Sequence, residues 1–380
     1  MTRFTDAPLR GARFRVPPGC RLVAAPGRTP SAASVTLFVP PEGGWQRRQL
    51  LSAAAASLLA SLGAPQTIDR EQLDAKALIR LVLDGLIEFE SGDGYRSGGK
   101  VHRLFFPGLR PAPGTDRVGR LSDQALHLAA TLIGAPPVAL ADRLYRFNTR
   151  PWSPAWQRRL PDDHAVAAFH GLDRLGSTRI SGSGIEEFQS GPWQVWHAPS
   201  AARDTTAGPT WKLYLSPTPD HTADASHALF ATLGRPTGPF SMKVGRTLAG
   251  TLRPDRIVAY FTTQRRLDQT ATRLSRTLAG VPAVGVPFTA SCEPDGLLSW
   301  GADFPVTTDL PELARERSWR GWLTIRLASA LAVALASGAD DPVACALDRV
   351  SLDGVDTHRW TADPAPGTSP TAPGNPDADQ

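Results

Sequence analysis

Short alternating runs dominate the middle of the chain. GPWQVWHAP, TWKLYLSP, PFSMKVG and DRIVAYFTT alternate apolar and polar positions and are bounded by Pro and Gly, the pattern of half-buried strands. PFTASCEPDGLLSWGADFP (287–305) adds two further short strands. Two runs with helical spacing interrupt them, ADASHALFATLG (223–234) and LDQTATRLSRTLAG (267–280). ARERSWRGWLTIRLASALAVALASG (314–338) reads as the last helix. Its apolar stretch is broken by Arg326 and is too short to span a bilayer, so a buried core helix is expected.

The first hundred residues have a different texture. WQRRQLLSAAAASLLASL (45–62) predicts a helix ending at Gly63. IDREQLDAKALIRLVLDGLIEFES (68–91) predicts a helix, a break at Asp84-Gly85 and a strand. GDGYRSGGK (92–100) predicts a turn leading to VHRLFF as the second strand of a hairpin. Helices followed by a hairpin outline a winged helix. Such modules bind DNA, or hold a peptide as an added strand, or serve as a structural cap. The helix that would enter a groove is not rich in Arg, so peptide is preferred to nucleic acid. GLRPAPGTDR (108–117) reads as a linker and SDQALHLAATLIG (122–134) as a helix. ADRLYRFNTRPWSPAWQRRLP (141–161) interleaves arginines with Tyr145, Trp152 and Trp156. Aromatics packed on the core beneath solvated arginines are preferred there to a single-stranded nucleic-acid surface.

The expected organisation is therefore a small winged-helix-like N-terminal region (1–110), a main domain (115–360) and a disordered tail (361–380) rich in Pro, Ser, Gly and Asp. The main domain reads as α+β, a mostly antiparallel sheet with flanking helices.

Composition changes this picture in three places. A net charge of +5 favours an anionic partner without choosing among phosphate, peptide and nucleic acid. The three cysteines lie far apart and form no zinc or disulfide pattern, so no metal and no cofactor are expected. The N-terminus lacks an apolar signal core, and a cytoplasmic location is expected.

Charge type is more informative than charge. Only four of the 41 Lys and Arg residues are lysine, and two of these, Lys212 and Lys243, sit inside strand-like runs. Arg does not give up its proton in a protein, whereas Lys does when it is desolvated or crowded by cations. Alternation places Lys212 and Tyr214 on one face of their strand, and Tyr260 shares the face of Arg256. Pairing of these strands would gather Lys212, Tyr214, Lys243 and Tyr260 on one cationic surface, with Arg246 and Arg253 at nearby strand ends. Such a surface binds phosphate and holds a lysine able to act as a base. A neutral lysine beside a phosphate ester suits removal of the Cα proton of phosphoserine or phosphothreonine, with phosphate leaving from Cβ.

The ordered motifs WKLYLSP, FSMKVG, LRPDRIVAYF, GVPFT and LLSWGADFP, with RLYRFNTRPWSPAWQRRLP before them, resemble the HopA-type effector-like family. That family includes the dehydratase lyases of class V lanthipeptide and thioamitide clusters and is distantly similar to bacterial effector phosphothreonine lyases. The resemblance covers roughly residues 140–330. It implies Lys243 as general base, Lys212 as a phosphate ligand, and Tyr214 where the effector lyases carry an acid histidine. A tyrosine is a weaker acid, and neighbouring cations are expected to help it donate its proton. Arg253 and Tyr260 are implied as contacts to phosphate or supports of the base, and Arg246 and Arg320 as further phosphate ligands. The implied substrate is a phosphorylated precursor peptide with a leader, made by a separate kinase and passed to a cyclase. Two alternatives stand beside this reading: a non-catalytic peptide-binding scaffold of a lanthipeptide-modifying complex, and a winged-helix nucleic-acid binder.

Overall fold

The computed structural model describes residues 4–24, 36–39, 49–51, 53–69, 73–108, 114–172, 186–198, 210–234, 240–303 and 318–362. The N-terminal region contains β1 (Phe14–Arg15), β2 (Arg21–Ala24), β3 (Thr36–Val39), β4 (Gln49–Leu51), α1 (Ala53–Ser61) and α2 (Ala75–Leu83). Asp74 caps α2 by accepting the Ala77 amide at 2.7 Å. The hairpin β5 (Glu88–Ser91) and β6 (Gly94–Arg96) follows and pairs through β5 with β1, while β2, β3 and β4 form a second small antiparallel sheet.

Two expectations are corrected here. The helix expected over 45–62 begins only at Ala53, because Gln49–Leu51 pairs as a strand with β3. The second hairpin strand is Gly94–Arg96 rather than VHRLFF, and His102–Phe105 forms a short helix, α3. The chain turns there through Gly98, which has φ 72°. A Cβ at Gly98 would lie 2.6 Å from Ser337 Cβ, so glycine is required by backbone conformation and by packing together.

Four helices precede the main sheet: α4 (Arg117–Ala130), α5 (Pro137–Arg146), α6 (Pro154–Arg159) and α7 (Asp163–Phe169). The sheet and its helices then follow as β7 (Glu186–Ser190), β8 (Trp193–His197), β9 (Trp211–Leu215), α8 (Thr222–Leu233), β10 (Ser241–Gly245), α9 (Leu248–Leu252), β11 (Ile257–Phe261), α10 (Gln264–Thr277), β12 (Ala290–Ser291) and β13 (Leu298–Ala302). The chain closes with α11 (Trp319–Ala336), α12 (Pro342–Ser351) and the small pair β14 (Val355–Asp356) and β15 (Thr361–Ala362). The first two residues of the expected tail thus pair as a strand, and the rest lie outside the described residues. The expected α+β class is what the structure has: seven antiparallel strands in the order β12-β13-β9-β11-β10-β8-β7, flanked by helices.

The sheet separates two apolar cores. Leu213, Leu215, Met242, Val244, Ile257 and Ala259 point to one side, where α8 and α10 cover them. The other core joins α4, α5, α11 and α12 around Leu126, Leu144, Phe288, Leu327 and Val350. Trp319 of α11 reaches the sheet at Gly301, where a Cβ would lie 2.9 Å from its indole. The N-terminal core continues into Leu352 beyond α12. Arg349 of α12 donates twice to Asp84, at 2.7 and 2.6 Å, and once to Asp353. His102 Nε2 lies 2.9 Å from Asp348 Oδ2, both side chains being buried. Among the described residues no helix is long and apolar enough to cross a membrane.

Candidate functional site

The side of the sheet away from α8 and α10 carries the two strand lysines. Lys243 of β10 pairs with Val258 of β11, which pairs with Tyr214 of β9. One step along, Ser241, Tyr260 and Lys212 stand in line. Directly paired residues of antiparallel strands project to the same side. The structure therefore brings Lys212, Tyr214, Lys243 and Tyr260 to one face, because β10, β11 and β9 are neighbours.

Lys243 has no hydrogen bond or ion pair among the described residues. Its Nζ lies 4.1 Å from the centre of the Trp193 ring and 5.8 Å from that of Tyr260. Trp193 stands opposite Gly245 in the ladder. Gly245 has no room for a side chain, since a Cβ there would come within 2.6 Å of the Gly250 backbone. Burial lowers the Lys243 amine from its ordinary range to about 8; Asp255 opposes that shift, and Lys212, Arg253 and Arg320 add to it.

Lys212 differs from it. Its Nζ donates to Asp303 Oδ1 at 2.6 Å, and the same oxygen accepts the Trp319 amide at 3.0 Å. Arg253 grips Asp255 with Nε and NH2, both at 2.8 Å, and reaches the Tyr145 hydroxyl at 3.3 Å. Arg320, on α11, donates to Asp255 Oδ2 at 2.9 Å and to the backbone oxygens of Pro287 and Tyr145. Burial alone would raise the Asp255 carboxyl, but the charges and hydrogen bonds of Arg320 and Arg253 hold it well below the usual carboxylate range. Four cations (Lys212, Lys243, Arg253, Arg320) thus face two carboxylates (Asp255, Asp303), leaving a formal +2.

Three of the expected residues have surroundings that the sequence did not show. Arg320 is only 1% exposed, and each of its nitrogens is engaged, one of them with Asp255. Arg246 lies beyond the end of β10, where alternation turns it to the opposite face. It pairs with Asp163 at 3.1 Å and lines a shallow pocket with His164, Glu187 and Gln194. Burial pushes the Tyr214 phenol well above its ordinary range, and Tyr145, Tyr260 and Asp303 push the same way. Arg320 opposes the shift without reversing it. Tyr214 is thus pushed toward its protonated, neutral form. Burial likewise raises Tyr260, with Asp303 and Asp255 adding to the shift.

Sequence reasoning missed Trp193, Tyr145, Asp255 and Asp303. The two carboxylates lie within the quoted motifs LRPDRIVAYF and LLSWGADFP, just outside the ends of strands that pair with β9, which carries Lys212. Trp193 and Tyr145 gave no local sign of their position. Among the described residues no group of His, Cys, Asp and Glu could hold a metal ion.

No protein-family model matches the chain, and no curated protein matches it. Solved structures similar to it include two bacterial effector proteins. One is the effector protein from Pseudomonas syringae pv. tomato strain DC3000, with TM-score 0.40 and 13% identity over 64% of this chain and 98% of that one. The other is the effector protein from Pseudomonas syringae pv. syringae strain 61, with TM-score 0.38 and 11% identity over 64% of this chain and 98% of that one.

Proposed function

We propose that the protein is a phosphoserine/phosphothreonine lyase acting on a ribosomally made precursor peptide. The observation that supports this reading most is the condition of Lys243. It is a half-buried amine without a carboxylate partner, held down to about 8 among other cations. Part of such a population is neutral near pH 7, which is what a general base needs. A lysine serving only as a charge would be paired, as Lys212 is.

The substrate's phosphate is drawn to the net positive face, where Arg253 and Lys212 present charge from either side. The neutral Lys243 amine takes the Cα proton. The C–H electron pair becomes the second bond between Cα and Cβ. The Cβ–O bond breaks and phosphate leaves with its electrons, giving dehydroalanine or dehydrobutyrine. The ester loses its second proton with a pKa of about 6, so at neutral pH the departing phosphate gathers a third charge, which Lys212 and Arg253 offset and which is neutralised by a proton taken up from water as it leaves. Tyr214 serves by hydrogen-bonding the oxygen on which charge accumulates. The lysine ammonium then loses its proton to water. The kinase and cyclase remain separate proteins in this scheme.

The ion pairs of Lys212 with Asp303 and of Arg253 and Arg320 with Asp255 favour a second reading, a face that binds peptide without turning it over. Incubation with phosphoserine and phosphothreonine precursor peptides separates the two. Mass spectra showing loss of phosphoric acid are expected for the lyase. Saturable binding of the phosphopeptide with no mass loss gives the scaffold reading its place.

A further inference from the structure

The two carboxylates of the site are held very differently. Asp255 is 6% exposed and receives three hydrogen bonds from two arginines. Asp303 is 18% exposed and holds Lys212, itself 9% exposed, together with the Trp319 amide. Asp255 is a permanent part of the framework, whereas Asp303 has one cation, one amide and a side open to water. Its two donors are those that bind phosphate elsewhere: a lysine ammonium, and a backbone amide in the first turn of a long helix. α11 has 18 residues, and the N-terminal end of such a helix carries partial positive charge.

We propose that the Asp303 carboxylate is an internal stand-in for the substrate's phosphate, occupying Lys212 and the Trp319 amide until phosphate displaces it. This rests on the lyase reading for the identity of the ligand, but not on turnover. With substrate absent, the contact keeps two unpaired charges from facing each other across the site. With substrate bound, Lys212 passes from a singly charged carboxylate to a phosphate that carries most of two charges at neutral pH. The exchange favours phosphorylated over carboxylate-bearing peptides, because glutamate or aspartate offers no more charge than Asp303 already supplies. Asp303 would thus be a specificity-determining residue, and free phosphate would leave as the carboxylate returns.

Asp303→Asn tests this directly. The amide oxygen still accepts from Lys212 and from Trp319, but the competing charge is gone. The expected result at constant ionic strength is about five- to tenfold tighter binding of inorganic phosphate, with KM for the phosphopeptide lowered in parallel. Unchanged or weaker phosphate binding by the folded variant overturns the proposal. A measurement on the unaltered protein covers the case of a variant that fails to fold. Titration with inorganic phosphate should shift the backbone amide resonance of Trp319, and an amide that stays fixed at saturation also overturns it. The two readings fail separately. Tighter phosphate binding without elimination from any phosphopeptide removes the lyase and keeps the stand-in. Elimination by the unaltered protein without any gain from Asp303→Asn does the reverse.

Discussion

The molecule contains two clusters of buried charge that use the same residue types to opposite ends. In the seam between the N-terminal region and α12, Arg349 is clasped by Asp84 and Asp353, Arg80 adds a second contact to Asp353, and His102 meets Asp348. Each nitrogen of Arg349 has a carboxylate acceptor there, and burial of such a charge repays itself only through that completeness. On the sheet face, Asp255 and Asp303 satisfy Arg253, Arg320 and Lys212, and Lys243 is left over. A cation left unpaired among cations is costly as structure and useful as chemistry. The seam joins parts of the fold; the face holds a proton loosely.

Four substitutions test this contrast, beginning with the largest effect. Lys243→Arg keeps the charge but cannot release the proton, and elimination should fall by about a thousandfold or more, followed by peptide mass, with the melting temperature nearly unchanged. Arg349→Ala should do the converse. It leaves Asp84 and Asp353 buried without their partner and should cost about 3–5 kcal/mol in chemical denaturation, while kcat per folded molecule stays put. A large loss of kcat there would end the distinction between the clusters.

Lys243→Met should stabilise the fold below pH 8. The folded amine titrates near 8 and the unfolded one near its ordinary 10.5, so between those values the unfolded chain holds more protons and stability rises with pH. The penalty is fully present below about 8, amounts to at most about 3 kcal/mol, and vanishes above 10.5. Urea titrations of both proteins at pH 7 and pH 10 should therefore converge at the higher pH. By the same protonation, kcat/KM for elimination by the unaltered protein should climb with pH and level off above about 8. The smallest effect belongs to Tyr214→Phe, which removes one hydrogen-bond donor and should lower kcat about a hundredfold without moving the pH midpoint. A displaced alkaline limb would return Tyr214 to the role of acid.

Much of the sheet was legible because strand alternation is a local property. WKLYL, SMKVG and IVAYF each show which residues share a face, and the face became a site once β9, β11 and β10 proved adjacent. The rest depended on distances the sequence does not express. Arg320 looked like any arginine of a helix, and its burial comes from packing of α11 against α5 and the Pro287 turn. Arg246 is one residue past the end of β10, where a single step reverses the side reached. Tyr214 was expected to be acidified by cations, but the apolar contacts of Val258 and Val286 outweigh them. VHRLFF has a strand-like composition, yet the close approach of Gly98 to Ser337 and the His102–Asp348 contact turn it into a helix.

α11 carries Trp319 and Arg320 at one end, and near the other it meets Ser337, whose hydroxyl accepts the Gly99 amide at 2.5 Å. Eighteen residues make a rod of about 27 Å. Its length and phase set how the N-terminal region is clocked against the face that carries the strand lysines. One inserted residue would turn one end about 100° against the other, whereas seven would restore nearly the same facing. Inserted residues should therefore be tolerated in the connecting segments rather than in α11, the fixed gauge between two otherwise independently patterned parts.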